Sequence, residues 1–230
     1  MKFTDNLFSG TLIKRYKRFF VDVRVNNKKI TAHCPNSGSM MGLLDKNNKV
    51  WISKSKNPKR KLKYTLELIK VKDSLVGVNT IFANKIVFEA LNDNSIKELR
   101  NFKNIKKESF YDKETRFDFL LEKSNKRLLL EVKNVTLSLE RNIAEFPDAV
   151  TSRGTKHLLK LIEAKKKGYQ SYILYLIQRE NCNIFKISDK IDPIYKKAFL
   201  NAKKNGVNII CYNCKLSPQG IKIYKPVKVL

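Results

Sequence analysis

The chain has 230 residues, with 48 Lys or Arg against 21 Asp or Glu, a formal charge of +27. Hydrophobic residues make up 42% and aromatics 10%, enough to build a core, which excludes a disordered chain. So large a charge opposes compaction unless an acidic partner offsets it, and nucleic acid is the first candidate, an anionic membrane surface the second. The basic residues are spread along the chain rather than gathered in a tail or one amphipathic helix, which disfavours the membrane. No window reaches the apolar length of a membrane span, and the opening MKFTDNLFSG has no signal-peptide core. The expectation is a cytoplasmic protein, without membrane contact or organic cofactor, that binds DNA or RNA.

Taken in order, the first third reads as short strands. In FFVDVRV, Phe19, Val21, Val23 and Val25 fall on one face and Phe20, Asp22 and Arg24 on the other. KKITAHC, KVWISKS, LKYTLELIKVK and SLVGVN follow, parted by turn signals such as VNNKK and DKNNK. Five short strands in roughly 80 residues predict a small OB-like β-barrel over residues 1–78. Such barrels bind single strands or loops through a basic face bearing aromatics. KRYKRFF interleaves Lys14, Arg15, Lys17 and Arg18 with Tyr16 and Phe19, and KSKNPKRKLK adds Lys59 and Arg60. Both runs are expected nucleic-acid contacts, although a strand edge blunted with charge has the same composition. HCPNSGSMMG is a loop, expected to be a tight structural turn whose amides and hydroxyls are able to hold a phosphate.

From residue 79 the pattern changes to a predicted α/β unit over 79–230. NTIFANKIVFEALN reads as a helix capped by Asn79 or Thr80, with Glu89 at the edge of its apolar stripe. ESFYD, TRFDFLLE and RLLLEVKNV read as strands, DAVTSRGTKHLLKLIEAKKKG as a helix with Asp148 near its start, and SYILYLIQ as a buried strand. DPIYKKAFLNAKKNG is a helix with Asp192 as cap, Pro193 at its first position and Gly206 past its end. VNIICY and GIKIYKPV complete a mixed sheet. Of the four cysteines, Cys34, Cys182, Cys211 and Cys214, only CYNC is closely spaced. On a strand its two members face opposite ways, so packed thiols are expected rather than a metal site.

The hairpin formed by TRFDFLLEK and KRLLLEVKN carries the chemistry. With Ser124 and Asn125 as a two-residue turn, Asp118 falls opposite Glu131 and Arg116 opposite Lys133. The other face, Phe117, Phe119 and Leu121 against Leu128, Leu130 and Val132, is apolar. Carboxylates about 5 Å apart at Cβ repel unless a cation lies between them, and a hard divalent ion such as Mg²⁺ suits oxygen ligands. Lys133 is placed beside it, to orient a water or stabilise a phosphate. This is the spacing of the PD-(D/E)xK nuclease core: Asp118, twelve residues, then Glu131-Val132-Lys133, with Glu89 available from the preceding helix and Phe117 in place of the proline. Arg153, Lys156, His157 and Lys160 are spaced to share a helix face and are expected at the lip of the site as phosphate contacts, or else as a solvated face.

LIKRYKRFFVDV, HCPNSGSMMG, VNTIFAN, EVKNVTL and FPDAVTSRGTKHL occur in this order over nearly the whole chain. Together they resemble the bacterial sugar fermentation stimulation protein A family. The resemblance implies DNA binding, an association with sugar utilisation, and an OB-like domain joined to a PD-(D/E)xK-type domain. It also places Asp118, Glu131 and Lys133 in the nuclease-like motif and Glu89 in its helix. Two classes stay open. One is a nuclease using Mg²⁺ or Mn²⁺ held by Asp118, Glu131 and Glu89. The other is a non-catalytic DNA-binding regulator with a nuclease-like shape. The acidic pair favours the first, since a pure binder gains nothing from carboxylates facing DNA. No helix-turn-helix is recognisable, which disfavours a conventional repressor or activator.

Overall fold

The computed structural model describes residues 1–100, 102 and 104–230. Six strands come first: β1 (Phe8–Tyr16), β2 (Phe20–Val25), β3 (Lys28–His33), β4 (Lys49–Lys54), β5 (Tyr64–Val71) and β6 (Ser74–Gly77). They pair in the order β3-β2-β1-β4-β5-β6, and a parallel contact between His33 and Thr65 joins β3 to β5. That contact closes β1 to β5 into a barrel, so none of the five is left with a free edge. Val21, Val23 and Val25 enter the barrel core with Leu12, Ile52 and Leu66, as the alternation of FFVDVRV requires. KRYKRFF straddles the β1–β2 turn, where Lys17 and Arg18 have positive φ.

The second unit has α1 (Phe82–Asn92), a 3-10 turn at Lys97–Leu99, β7 (Asn104–Phe110), β8 (Arg116–Lys123), β9 (Lys126–Val135), β10 (Asn142–Phe146), α2 (Ser152–Lys166), β11 (Gln170–Ile177), β12 (Cys182–Ile187), α3 (Pro193–Lys204), β13 (Asn208–Ser217), β14 (Gly220–Pro226) and β15 (Lys228–Val229). Its main sheet runs β14-β13-β11-β9-β8-β7, with β9, β11 and β13 parallel and the flanking strands antiparallel. A smaller parallel sheet, β10-β12-β15, stands apart. The apolar run of β9 now has its reason. As a central strand it is covered on both faces, with Leu128 and Leu130 in the α1-side core and Leu129 in the core under α2 and α3. Cys211 and Cys214 of β13 likewise fall in opposite cores, and all four cysteines are free and buried. No helix among the described residues is long and apolar enough to cross a membrane.

Helix starts differ from expectation where the chain has other work. Asp192 does cap α3, accepting from the Tyr195 amide at 2.8 Å. α2, however, is capped by Thr151, which accepts from the Gly154 amide at 3.1 Å, and Asp148 lies outside the helix against Gly38 and Met40 of the barrel loop. Neither Asn79 nor Thr80 holds the cap position of α1. It falls to Ile81, whose amide donates to the Asn79 side chain at 3.1 Å, while Thr80 Oγ1 donates to the Pro35 carbonyl at 2.9 Å.

The barrel and the α/β unit are stitched together. Trp51 and Leu68 belong to barrel strands yet lie in the α1-side core. The Gly77 amide donates to the Gln178 carbonyl at 2.9 Å, and a Cβ at Gly77 would run into the Gln178 side chain. Barrel strands end at Gly77, but the first residues join the second unit: Met1 is part of its core, and its carbonyl accepts from the Ile221 amide at 2.8 Å.

Candidate functional site

β8 and β9 pair from Lys123↔Lys126 to Phe119↔Leu130, the register that a Ser124–Asn125 turn dictates. The ladder stops one pair short of Asp118 and Glu131. On the other side of β8, Glu108 of β7 has a φ of +53°, and the β7–β8 pairing skips from Lys107↔Phe119 to Ser109↔Phe117. The strand rolls at this point. Phe119 lies in the α1-side core and Phe117 in the opposite one, although residues two apart share a face on a regular strand. The expectation of a single apolar face carrying both phenylalanines, with both carboxylates on the other, is therefore corrected.

Asp118 instead turns toward α1. Its Oδ1 accepts from Asn84 Nδ2 at 2.6 Å, and its Oδ2 reaches across the opened fork to accept from the Val132 amide at 2.7 Å. Glu131 turns toward α2. Its Oε1 accepts from Lys133 Nζ at 2.6 Å and is also bonded to His157 Nδ1, while its Oε2 is buried with no hydrogen-bond partner. Arg116 does not reach Lys133 but pairs with Glu108 at 2.8 Å.

Burial works to raise the Glu131 carboxyl, but the Lys133 ammonium and the His157 hydrogen bond outweigh it and hold the group below its ordinary value of 4.5. An ionised carboxylate only accepts, so His157 carries its proton on Nδ1 and donates it. Asp118 goes the other way. Burial, and then the nearby Glu131 charge, push it up to about 6 against the Val132 and Asn84 hydrogen bonds and the Lys133 charge.

A buried carboxylate oxygen without a partner is costly and calls for an explanation. Although they turn toward different helices, the two carboxylates are near enough for the Glu131 charge to raise Asp118, and such a pair, one member with a bare oxygen, suits a hard divalent cation. No three His, Cys, Asp or Glu side chains among the described residues stand close enough to hold a metal alone. Mg²⁺ commonly uses one or two carboxylates and keeps several waters, so the pair is a sufficient set. Glu89 lines the same cleft beside α1 as Asp118 but makes no hydrogen bond to it among the described residues. Its carboxylate pairs with the Met1 amino group, and Asn84, five residues earlier, is the α1 residue that donates to Asp118. Asn84 was not legible in advance, because a lone amide in an amphipathic helix carries no spacing signal.

The basic candidates separate into occupied and open groups. Arg15 is occupied, donating to the carbonyls of Arg18, Ser39, Asn36 and Gly38 at 2.7 to 3.1 Å, so it builds the HCPNSGSMMG loop as a structural turn. Tyr16 stacks on Phe20 and donates to Asp22, with Lys14 over its ring at 5.4 Å. Arg60 donates to Thr65 Oγ1. Lys156 pairs with Glu114, Lys160 with Asp112 and Glu163, and His157 is buried against Glu131. Of the α2 quartet, Arg153 is exposed and has no ion-pair partner among the described residues, as is also true of Lys17, Arg18 and Lys59 in the barrel. A cleft of about 430 Å³ lies between the units. Arg18 and Asn36–Gly38 form its barrel wall, and Asn134–Leu137, the chain that follows Lys133, forms its other wall.

Two family models match: the SfsA N-terminal OB domain over residues 13–78, and the sugar fermentation stimulation protein RE domain over residues 81–220. A sugar fermentation stimulation protein homolog of Pelagibacter ubique is 59% identical over 230 residues, covering 100% of this chain and 99% of that protein. One from Paramagnetospirillum magneticum is 44% identical over 229 residues, covering 99% and 97%. The structure of Pyrococcus furiosus SfsA, described as a complex with Ca²⁺, superimposes with a TM-score of 0.90 at 23% identity, covering 100% of this chain and 98% of that one. At that identity the superposition speaks for the fold alone: an OB barrel followed by a mixed-sheet α/β domain. The chain belongs to the sugar fermentation stimulation protein family.

Proposed function

We propose that this protein binds DNA inside the cell and carries a divalent-metal-dependent phosphodiesterase site of the PD-(D/E)xK kind at Asp118, Glu131 and Lys133. The observation that supports it best is Glu131: ionised, buried, bonded on one oxygen by Lys133 and His157, and bare on the other. A structural carboxylate gains nothing from that arrangement. Asp118 and Glu131 would hold Mg²⁺ or Mn²⁺, and the Ca²⁺ named with the Pyrococcus furiosus protein is in keeping with a divalent ion. Such an ion, when bound, supplies positive charge to phosphoryl oxygens and makes water a better nucleophile. Lys133 offers a cation on the same strand face as Glu131 for charge developing on the phosphate. His157 and Asn84 touch no substrate in this reading and are positioning residues, one for each carboxylate.

The test is cleavage of plasmid and of short oligonucleotides by purified protein with Mn²⁺, Mg²⁺ or EDTA. Cleavage that needs the ion and disappears in Glu131→Gln supports the reading. Cleavage indifferent to EDTA would assign the activity elsewhere. No cleavage and no metal binding by calorimetry, with DNA binding retained, would favour the regulator that keeps the shape without the reaction.

A further inference from the structure

We propose that the cleft between the barrel and the α/β unit receives an unpaired nucleotide, so that single-stranded nucleic acid is the substrate class of the Asp118–Glu131–Lys133 site. The inference rests on the nuclease reading above and adds what enters the site. Size comes first. A cleft of about 430 Å³ is in the range that encloses one drug-sized molecule, about 300–1,000 Å³, which is also the scale of one nucleotide and far below that of a duplex.

The walls do not part easily. Arg15 holds the barrel loop by three hydrogen bonds to its carbonyls, the Pro35 carbonyl takes both the amide and the hydroxyl of Thr80, and Asn36 Nδ2 donates to the Val78 carbonyl at 3.1 Å. The loop is thus tied to the segment that enters α1, and the barrel wall is fixed relative to the second unit.

Charge gives the orientation. Glu145 and Asp148 line the cleft, and they would repel a phosphate but accept from the amino groups of a base. Cations stand at the margins: Arg18 on the barrel side and Arg153 at the start of α2, both exposed. That pattern suits a strand whose base turns inward while its backbone stays at the rim. A duplex cannot do this, because its bases are paired inside and its phosphates face out. Beside Arg18, Phe19 is 43% exposed and lies in parallel against His33, ring centroids 6.3 Å apart with an interplanar angle of 23°. An exposed ring next to a basic residue is a stacking platform for a neighbouring base. Asp118, Glu131 and Lys133 do not line the cleft themselves, but its opposite wall begins at Asn134, the residue that follows Lys133 on β9, so the cleft starts one residue beyond the candidate site.

The test uses the full chain in EDTA, so that binding is read without cleavage. Fluorescence anisotropy compares a labelled single strand of about 20 nucleotides, mixed in sequence, with its blunt duplex. The expectation is that the single strand binds about tenfold tighter or more. Phe19→Ala removes the platform, and Ser37→Trp fills the cleft from an exposed position. Each should weaken single-strand binding about tenfold while leaving duplex binding and Tm nearly unchanged. Equal affinity for the two forms would overturn the inference. So would full single-strand affinity in Phe19→Ala, or in a Ser37→Trp protein with an undisturbed Tm. If single-strand preference is found and no metal-dependent cleavage follows, the nuclease reading fails and the cleft assignment stands. Ion-dependent cleavage by a protein with no such preference has the opposite meaning.

Discussion

Each unit of this molecule buries a glutamate to 3% exposure, and the two are treated in opposite ways. In the barrel, Glu67 receives Ser53 Oγ on one oxygen at 2.6 Å and Asn79 Nδ2 on the other at 2.8 Å. Burial raises its pKa, and the group acts as a joint between β5 and the segment leading into α1. In the α/β unit, Glu131 is held ionised by Lys133 and His157, both on one oxygen, and its second oxygen has no partner. Equal burial therefore does not mean equal role. Glu67 has a partner on each oxygen, whereas Glu131 is kept charged with one oxygen unmatched, the contrast on which the proposed metal site rests.

The strongest way to break this contrast is at Glu131. Glu131→Gln should lower metal-dependent cleavage by about 10²-fold or more, with DNA binding kept. Cleavage assays and anisotropy on the same preparation read both, and equal loss of the two would make Glu131 a structural residue after all.

Lys133→Met tests the charge balance. With side-chain exposures of 13% and 4%, Lys133 and Glu131 form a buried pair. Removing the cation should cost about 3 kcal/mol of stability in EDTA. A divalent ion should restore part of it, because the ion replaces the lost positive charge and binds the folded state. Urea denaturation with and without Mn²⁺ shows this directly. A variant no more responsive to the ion than the parent would argue against Glu131 as a ligand.

In the barrel, Arg15→Ala and Arg18→Ala should part company. Arg15→Ala removes three hydrogen bonds to loop carbonyls and one to the Arg18 carbonyl, and should cost about 2 kcal/mol. Arg18→Ala should leave Tm in place and instead reduce the salt dependence of DNA binding, by about one unit of slope. Thermal melts beside salt titrations separate the two, and an Arg15→Ala protein as stable as the parent would refute the structural role.

The smallest effect is expected at Glu67. Its carboxyl is raised in the folded state, so the folded protein holds a proton that the unfolded chain has released. Both states are protonated below the unfolded value of 4.5, and the penalty grows as pH rises from there through the raised folded value. Glu67→Gln keeps the shape without the charge. It should be the more stable protein at alkaline pH, with the advantage fading as pH falls toward 4.5. A stability difference independent of pH would show that Glu67 is not the titrating group.

Much of this was readable from the amino-acid order. Alternation in FFVDVRV and in Tyr64–Leu68 marks barrel strands, the caps at Asp192 and Pro193 mark α3, and the two-residue turn at Ser124–Asn125 fixes the β8–β9 register. These are local signals: side-chain period, cap chemistry and turn length each act over a few residues. β10, β12 and β15 escaped because short strands in a separate parallel sheet have no neighbour in sequence to announce them.

The sequence by itself determined that the chain is basic, that a strand-rich N-terminal part precedes an α/β part, and that an acid and a lysine share one strand face at Glu131 and Lys133. Tertiary structure decided what those residues meet. Asp118 turned to α1 because the backbone rolls where Glu108 interrupts the ladder, and Asn84 rather than Glu89 was waiting there. His157 left the solvent-facing row because its place on α2 lies over Glu131, and Arg15 was drawn into loop carbonyls that only the folded barrel brings together. Contacts of this kind join residues tens of positions apart, and the energy of satisfying a buried polar group, not any local preference, chooses the partner.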